Sequence, residues 1–315
     1  MSASKPRAIF FGTPEIAVPS LEALGEIADV VFVTCQPDKP VGRHQTLTAP
    51  PVKTRALALG IPVEQPAKLR TGEFGAKVKA ASADFALVIA YGRILPDDVL
   101  AGPRLGCLNL HASILPHYRG AAPIQWAVAR GESETGITLM QMDAGLDTGP
   151  MLETWRTKID RDETAGELGV RLGELAARAV REGVKRFLAG ELAAKAQDEE
   201  KATFAPILTK DHGKIEWNAP AALVHAHVRG MNPWPLGQTT VRGKRILVHR
   251  TRLVESGAAT HAPGTVILAD KSRIVVACAS GAVELVQVQL EGKKPIRGAD
   301  WFLGRGVAEG DVLGG

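Results

Sequence analysis

Phe85-Ala-Leu-Val-Ile-Ala90 is a nearly continuous run of apolar residues. Such a run is typical of a central strand in a parallel sheet, which is covered on both faces. Ala8–Phe11 and Val30–Val33 are further short apolar runs, and segments with helical spacing follow them at Glu15–Leu24 and Val52–Leu59. This alternation of strand and helix signals predicts an α/β fold with a doubly wound, mostly parallel, Rossmann-like sheet.

The same alternation of strand and helix signals continues to about residue 190. Cys107–Leu110 and Ile137–Met142 have the pattern of strands, whereas residues 121–129 and Glu163–Leu188 have the pattern of helices. Ligands of doubly wound sheets bind beyond the carboxyl ends of the strands. We therefore expect a functional site where these strands end.

From about Thr209 the pattern of strand and helix signals changes. Short β-rich runs alternate with turn residues, which predicts a helix followed by a small antiparallel, OB-like β-barrel. These runs are Gln238–Val248, Gly264–Leu268, Arg273–Ala277 and Ala282–Leu290. We expect a first domain over residues 1–190, a linker over 191–208 and a second domain over 209–315.

Positive charge is unevenly distributed along the 315 residues, although the net charge is only +4. From Thr209 to the end there are 14 Lys and Arg against 9 Asp and Glu. The preceding 208 residues carry 24 basic and 25 acidic side chains. The excess of positive charge in the smaller domain is consistent with a polyanionic partner.

Composition excludes several classes of protein. Hydrophobic residues make up 45% and charged residues 23% of the chain, as in an ordinary globular protein. The apolar runs are too short to span a bilayer and the N-terminus has no signal-peptide stretch, so we expect a cytoplasmic protein without a membrane partner. Cys35, Cys107 and Cys278 lie far apart with no C-x-x-C pair, and we expect neither a disulfide framework nor a metal site.

Three side chains suited to acyl transfer lie in two stretches rich in glycine and proline. Asn109 and His111 stand at the end of a predicted strand, and Asp147 follows the next strand between two glycines. Residues at i and i+2 of a strand point to the same face, so Asn109 and His111 can address one ligand atom. An amide and an imidazole can stabilise an oxyanion, and a carboxylate can support a charged imidazole. The trio favours acyl transfer without a covalent intermediate.

Each of these residues also has a simpler structural interpretation. A histidine at a strand end is commonly structural, and Asp147 could cap the turn at Thr148. Arg119 could be a solvated residue before a helix, or it could position a substrate carboxylate, carbonyl or phosphate. Cys107 has the flanks of a buried strand and is interpreted as a packing residue rather than a nucleophile.

Signatures of other enzyme classes are missing from the sequence. No G-x-G-x-x-G follows the first strand, and there is no P-loop, no H-E-x-x-H and no G-x-S-x-G. The sequence therefore lacks the motifs expected for dinucleotide-dependent redox chemistry, P-loop nucleotide hydrolysis, zinc hydrolysis and serine hydrolysis.

Motifs spread over nearly the whole chain resemble the methionyl-tRNA formyltransferase family. They are Phe11-Gly-Thr-Pro14, Gln36-Pro-Asp38, Ala90-Tyr-Gly92, Asn109-Leu-His-Ala-Ser-Ile-Leu-Pro116, Arg119-Gly-Ala-Ala-Pro-Ile-Gln125, Asp143-Ala-Gly-Leu-Asp-Thr-Gly149, Asn232-Pro-Trp-Pro235 and Gly292-Lys-Lys294. The resemblance implies a transferase of one-carbon metabolism with 10-formyltetrahydrofolate as co-substrate. It implies formylation of the amino group of initiator methionyl-tRNA, which serves translation initiation.

The resemblance also implies roles for individual residues. Asn109, His111 and Asp147 match the catalytic trio of the family. The residues implied to hold the folate are Ser113, Ile114, Leu115 and Pro116, together with Ala90, Tyr91, Gly92 and Ile94. The residues expected to contact the tRNA are Lys39, Gly42 and Arg43 in the loop over residues 36–48, and Lys293 and Lys294 in the basic second domain. We expect the chain to act as a monomer.

Two alternatives of different kinds remain open from the sequence. A formyltransferase that acts on an amino sugar nucleotide, or one that releases formate, would share the same trio. A non-catalytic RNA-binding protein could retain the enzyme fold. The Arg119-Gly-Ala-Ala-Pro-Ile segment and the basic second domain favour the tRNA substrate, and the intact trio favours an enzyme.

Overall fold

A seven-stranded sheet forms the centre of the first part of the chain, as the alternating apolar runs predict. The computed structural model describes residues 5–42, 45–254 and 261–314. The strands of this part are β1 (Arg7–Gly12), β2 (Asp29–Thr34), β3 (Lys39–Val41), β4 (Thr46–Thr48), β5 (Val63–Glu64), β6 (Phe85–Ile89), β7 (Cys107–His111), β8 (Glu134–Gln141) and β9 (Met151–Lys158). The helices are α1 (Val18–Ile27), α2 (Pro51–Ala58), α3 (Glu73–Ala80), α4 (Asp97–Leu100), α5 (Pro123–Ala129), α6 (Ala165–Ala179) and α7 (Lys185–Leu188).

The strand order of the large sheet is β5-β2-β1-β6-β7-β8-β9. β1 pairs in parallel with β2 and with β6, and β6 pairs in parallel with β7. Every residue of β6 is buried, because this strand lies inside the sheet with both faces covered. The order reverses between β1 and β6, which confirms the doubly wound, mostly parallel sheet.

Three features of this part differ from the expected strand and helix pattern. β8 is antiparallel to β7, with Leu108 opposite Gln141, so β8 ends at the opposite edge from the parallel strands. β9 has no clean alternation of apolar residues and was not predicted. The loop over residues 36–48 contains the small antiparallel hairpin β3–β4.

The chain forms two compact units whose members do not follow the order of the sequence. The first unit contains residues 1–121, 135–157 and 169–205, and the second contains residues 122–134, 158–168 and 206–315. Two short segments that precede residue 169 therefore contribute to the second unit. The division of the sequence at residues 190 and 209 stays a prediction.

The second unit contains α8 (Ala221–Gly230), α9 (Gly298–Leu303) and an antiparallel sheet. The strands of this sheet are β10 (Gly237–Val241), β11 (Lys244–Val254), β12 (Val266–Ala269), β13 (Ile274–Ala277), β14 (Ala282–Leu290) and β15 (Ile296–Arg297). Their order is β10-β11-β14-β13-β12, with β15 on β14. Leu313 N–H donates to Gly264 O at 2.8 Å and Gly314 N–H donates to Thr240 O at 2.9 Å, so the C-terminal segment joins both edges of the sheet.

Packing inside the second unit depends on apolar side chains and on one close helix contact. Trp217, Leu285 and Trp301 are buried in one cluster beneath the sheet. A Cβ at Gly230 would lie 2.5 Å from the Cβ of Ala129, so glycine at the end of α8 permits the close approach of α5. Within the described ranges, no helix is both long and apolar enough to cross a bilayer.

Candidate active site

Asn109 and His111 lie two residues apart on β7. All five residues of β7 are buried, and the side chains of Asn109 and His111 are only 8% and 6% exposed. Because side chains two residues apart share one face of a strand, the amide and the imidazole lie next to each other. The strand therefore presents two hydrogen-bonding groups from a buried position.

Asp147 reaches these two residues from the loop between β8 and β9. The carboxyl end of the antiparallel β8 lies opposite Leu108, so the loop has to fold back along β7. Asp147 Oδ1 accepts from Asn109 Nδ2 at 3.4 Å, and Asp147 Oδ2 accepts from Gly120 N–H at 2.8 Å. The structure thus brings the trio together, although by a different path from the common strand edge that we expected.

The two ring nitrogens of His111 have different surroundings. Nε2 lies 2.8 Å from Tyr118 O, and since a carbonyl only accepts, Nε2 carries a hydrogen and donates it. Nδ1 lies 3.6 Å from Asp147 Oδ2, which is beyond hydrogen-bond distance but close enough for a carboxylate to stabilise a charged ring. Nδ1 is therefore the nitrogen that can turn a hydrogen toward a reacting oxygen.

Arg119 is neither solvated nor available to a substrate, so both interpretations from the sequence were wrong. Its side chain is 2% exposed. Nε and Nη2 donate to Gln197 Oε1 at 3.0 and 2.9 Å, and Nη1 and Nη2 donate to the Glu199 carboxylate at 2.8 and 2.7 Å. These bonds raise the pKa of Arg119 and lower the pKa of Glu199, so both groups stay charged.

The segment after β7 contains side chains that face inward and side chains that do not. Ser113 and Leu115 are buried, and Ser113 Oγ donates to His117 O at 2.6 Å. Ile114 and Pro116 are half-buried. Thr138 on β8 holds the segment, since its hydroxyl donates to Ser113 O at 2.7 Å and accepts from Leu115 N–H at 3.3 Å.

The loop after β6 is open to a ligand at its backbone. Ala90 and Gly92 are exposed and have φ values of +47° and +82°, and a Cβ added at Gly92 would meet only open space. Ile94 is 62% exposed. Tyr91 instead turns its ring inward against Phe11, with ring centroids 5.4 Å apart, so the Tyr91 side chain belongs to the core.

Residues expected to contact tRNA lie in both units. Lys39 and Gly42 are exposed on the β3–β4 hairpin, and Lys293 and Lys294 are exposed in the turn after β14. Arg43 lies outside the described residues. The base of the hairpin is held by Asp38, because Lys53 Nζ donates to both of its carboxylate oxygens at 2.8 Å and lowers its pKa.

Cys107 is a packing residue in the structure. Its side chain is buried on β7, and burial raises the pKa of the thiol to about 12. A thiolate is the nucleophilic form of cysteine, so this thiol is not activated for attack. Within the described ranges, no three His, Cys, Asp or Glu side chains come together in a way that could hold a metal ion.

Four groups that hold the trio or the segment after β7 were not identified from the sequence. They are the Tyr118 carbonyl, the Gly120 N–H, the Thr138 hydroxyl and the Gln197 amide. Backbone groups carry no residue-type signal, and Gln197 stands in a polar stretch, Gln197–Lys201, that was interpreted as a linker. Of the four residues that carry these groups, only Gly120 lies in one of the motifs that resemble the family, the segment from Arg119 to Gln125.

Two protein-family models match the sequence of the chain. A model described as formyl transferase matches residues 7–184, and a model described as the formyl transferase C-terminal domain matches residues 207–306. The chain is therefore a member of the formyl transferase family.

Sequence relatives narrow the class. The methionyl-tRNA formyltransferase of Sorangium cellulosum is 57% identical over 98% of this chain and 99% of its own length. That of Myxococcus xanthus is 47% identical over 98% of this chain and 97% of its own length. The chain therefore belongs to the methionyl-tRNA formyltransferase family.

A solved structure shares the fold across both units. HypX from Aquifex aeolicus, in complex with tetrahydrofolic acid, matches with a TM-score of 0.65 over 97% of this chain. The chain spans 49% of that protein, and the two are 17% identical. At this level of identity the likeness concerns the fold alone.

Proposed function

We propose that this chain transfers the formyl group of 10-formyltetrahydrofolate to the amino group of initiator methionyl-tRNA. The 57% identity to a methionyl-tRNA formyltransferase over nearly the full length supports this activity. The observation that carries the chemistry is the convergence of Asn109, His111 and Asp147, with His111 Nδ1 left outside hydrogen-bond distance of the carboxylate.

In the proposed mechanism, the chain stabilises charge on the formyl oxygen. When the neutral amine attacks the formyl carbon, that oxygen becomes an oxyanion. Asn109 Nδ2 and protonated His111 Nδ1 donate to it, while Tyr118 O holds the ring by the other nitrogen. Asp147 stabilises the charged ring through space. Breaking the bond from the formyl carbon to the folate nitrogen completes the transfer, and that nitrogen takes up the proton that the attacking amine loses.

We further propose that the folate lies at the ends of β6 and β7. The exposed backbone of Ala90 and Gly92 and the exposed side chain of Ile94 support this placement. From the segment after β7, Ile114 and Pro116 can offer apolar side chains. Ser113 and Leu115 face inward, so their contribution would come through the backbone.

The contacts with tRNA are also part of the proposal. Lys39, Gly42 and Arg43 would bind the tRNA from one unit, and Lys293 and Lys294 would bind phosphates from the other. The exposure of the lysines supports this role. Because such binding releases counterions from the nucleic acid, affinity should fall steeply with salt. Salt-independent affinity would contradict it. We expect a monomer acting in the cytoplasm, where its tRNA substrate is found.

The acceptor is tested by a formylation assay with 10-formyltetrahydrofolate and three amines. We expect initiator methionyl-tRNA to be formylated, elongator methionyl-tRNA to react poorly and an amino sugar nucleotide to remain unmodified. Formylation of the sugar nucleotide in place of the tRNA would establish the alternative substrate. Binding of tRNA with no formyl transfer would establish a non-catalytic RNA-binding protein.

The role of the trio is tested by Asn109→Ala. Removing one oxyanion donor typically lowers kcat by about 10²–10³, and folate binding should be kept because Asn109 contacts the reacting group only. Asn218→Ala, at an exposed asparagine of the second unit, is the control and should keep the parent kcat. A kcat for Asn109→Ala near that of the parent would overturn the mechanism.

A further inference from the structure

The Gln197 side chain bridges the Asp147 loop to the buried Arg119 guanidinium, which is paired with the exposed Glu199. Its Nε2 donates to Asp147 O at 2.8 Å and to Gly149 O at 2.7 Å. Its Oε1 accepts two bonds from Arg119. Every hydrogen-bonding atom of the amide is thus used, and the guanidinium fixes which end of the amide faces the loop, because Arg119 can only donate.

Arg119 is itself held from several directions. The Glu199 carboxylate accepts from both terminal nitrogens, a bidentate arrangement that fixes the plane of the guanidinium. Its backbone N–H donates to Thr203 O at 2.8 Å, and its backbone carbonyl accepts from Ala205 N–H at 2.8 Å. These side-chain and backbone hydrogen bonds hold Arg119 in place, so its position does not depend on a substrate.

The same stretch of chain also holds the residues beside His111. Tyr118 N–H donates to Thr203 Oγ1 at 2.9 Å, and Tyr118 O receives the His111 Nε2 hydrogen. We call residues 197–205 the brace. The brace contacts the loop over residues 118–120 and the loop over 147–149, and these two loops orient His111 and Asp147.

The Asp147 loop needs such support because its own backbone is unfavourable. Asp147 has a φ of +55°, in the left-handed region that costs energy for a residue with a side chain. Asp143 to Leu146 are exposed, so few side chains pack on this side of the loop. Hydrogen bonds from Gln197 to the carbonyls on both sides of Thr148 hold the loop in this conformation.

We infer that Gln197, oriented by Arg119, is a positioning residue that keeps the Asp147 carboxylate beside Asn109 and His111. This inference rests on the proposed formyl transfer, in which Asp147 stabilises charged His111. Gln197 lies outside the segments that contain the trio, and it acts on the reaction only through the Asp147 loop.

Gln197→Glu tests the inference, because it replaces the amide donor with an acceptor of the same size. The carboxylate still accepts from Arg119, so the brace keeps its charged pair, but the two bonds to the Asp147 loop are replaced by repulsion. Displacing a reacting group by about 1 Å can cost about 10²-fold in rate, and we expect kcat to fall about 10- to 100-fold. KM for 10-formyltetrahydrofolate and the midpoint of thermal unfolding should stay near the parent values.

Gln238→Glu is the matched control. Gln238 is also a glutamine whose Nε2 donates to a backbone carbonyl, that of Lys210 at 3.1 Å, but it lies on β10 in the second unit. This variant should keep the parent kcat. If Gln197→Glu fails to fold, Gln197→Met supplies the same loss of donors without introducing charge.

Coupling to Asp147 separates a positioning role from a general structural one. In an Asp147→Asn background, Gln197→Glu should cause little further loss of kcat, because the carboxylate it positions is already gone. Equal losses in both backgrounds, or a parent-like kcat for Gln197→Glu, would overturn the inference. Failure of the parent chain to formylate methionyl-tRNA would instead overturn the proposed function.

Discussion

Each unit of the molecule buries a histidine, and the two histidines differ in how many of their hydrogen bonds the fold uses. His225 on α8 is buried, with Nδ1 2.9 Å from Thr251 Oγ1 and Nε2 3.0 Å from Arg161 O. Both ring nitrogens are satisfied within the unit. His111 has one nitrogen bound to Tyr118 O and the other beyond hydrogen-bond distance of Asp147.

The comparison teaches that burial of a polar side chain does not identify a catalytic group. Arg119 and Arg229 are also both buried, and both are held by groups of their own unit: Arg119 by Gln197 and Glu199, and Arg229 by the backbone carbonyls of Asp160 and Glu163. What distinguishes His111 from His225 is a ring nitrogen, Nδ1, that faces the Asp147 carboxylate from beyond hydrogen-bond distance. Four predictions test this distinction.

The largest effect is expected for His111→Ala. Loss of a positioned proton donor typically lowers the rate by about 10²–10⁴, and we expect a loss of kcat in this range with the fold retained. His117→Ala, at an exposed histidine of the same loop, should keep the parent kcat. Equally fast single-turnover formylation in both variants would contradict a catalytic role for His111.

His225→Ala should affect stability rather than catalysis. It removes the partner of the Arg161 carbonyl and of the Thr251 hydroxyl, and a buried group left without a partner costs about 1–3 kcal/mol of unfolding free energy. Urea unfolding monitored by circular dichroism measures this loss, with exposed His261→Ala as the unaffected control. A large fall in kcat under conditions where the variant is folded would contradict the structural role of His225.

The pH dependence of stability should identify His225 as a neutral histidine. Burial lowers the pKa of His225 below its usual value of 6.5, against the opposing influence of Asp162. Between the two pKa values the unfolded chain binds more protons, so unfolding free energy should fall as pH drops below about 6.5, by at most about 1.4 kcal/mol per pH unit.

His225→Gln can make both hydrogen bonds without titrating, so its stability should vary less with pH. His227, whose pKa is also lowered by burial, remains in this variant and keeps part of the slope. The slope is measured from urea titrations between pH 5 and pH 8. An unchanged slope would mean that folding does not lower the pKa of His225.

The smallest effect is expected for Cys107→Ala. Cys107 lies on the same strand as Asn109 and His111, yet its thiol pKa is about 12 because of burial. We expect an unchanged kcat and a loss of about 1 kcal/mol of stability from the smaller side chain. A formyl group found on Cys107 by mass spectrometry during turnover would contradict direct transfer.

The elements that could be predicted are those with a clear local pattern. β6 was predicted from its unbroken apolar run, and β7 from the strand pattern of Cys107–Leu110. β9 was missed because Met151–Lys158 mixes polar and apolar residues without strict alternation, being only partly buried. The β3–β4 hairpin was missed because all six of its strand residues are exposed and carry no pattern of burial.

The fold class and the presence of an amide, an imidazole and a carboxylate suited to acyl transfer followed from residue order alone, because strand periodicity and residue chemistry are local properties. The path of the Asp147 loop, the capture of Arg119 and the contact of Gln197 with Asp147 came only from the tertiary structure. These contacts join residues 27 to 80 positions apart. A local sequence pattern does not show which residues far apart in the chain come into contact. Those contacts depend on how β8 pairs with β7 and on where the brace crosses the two loops.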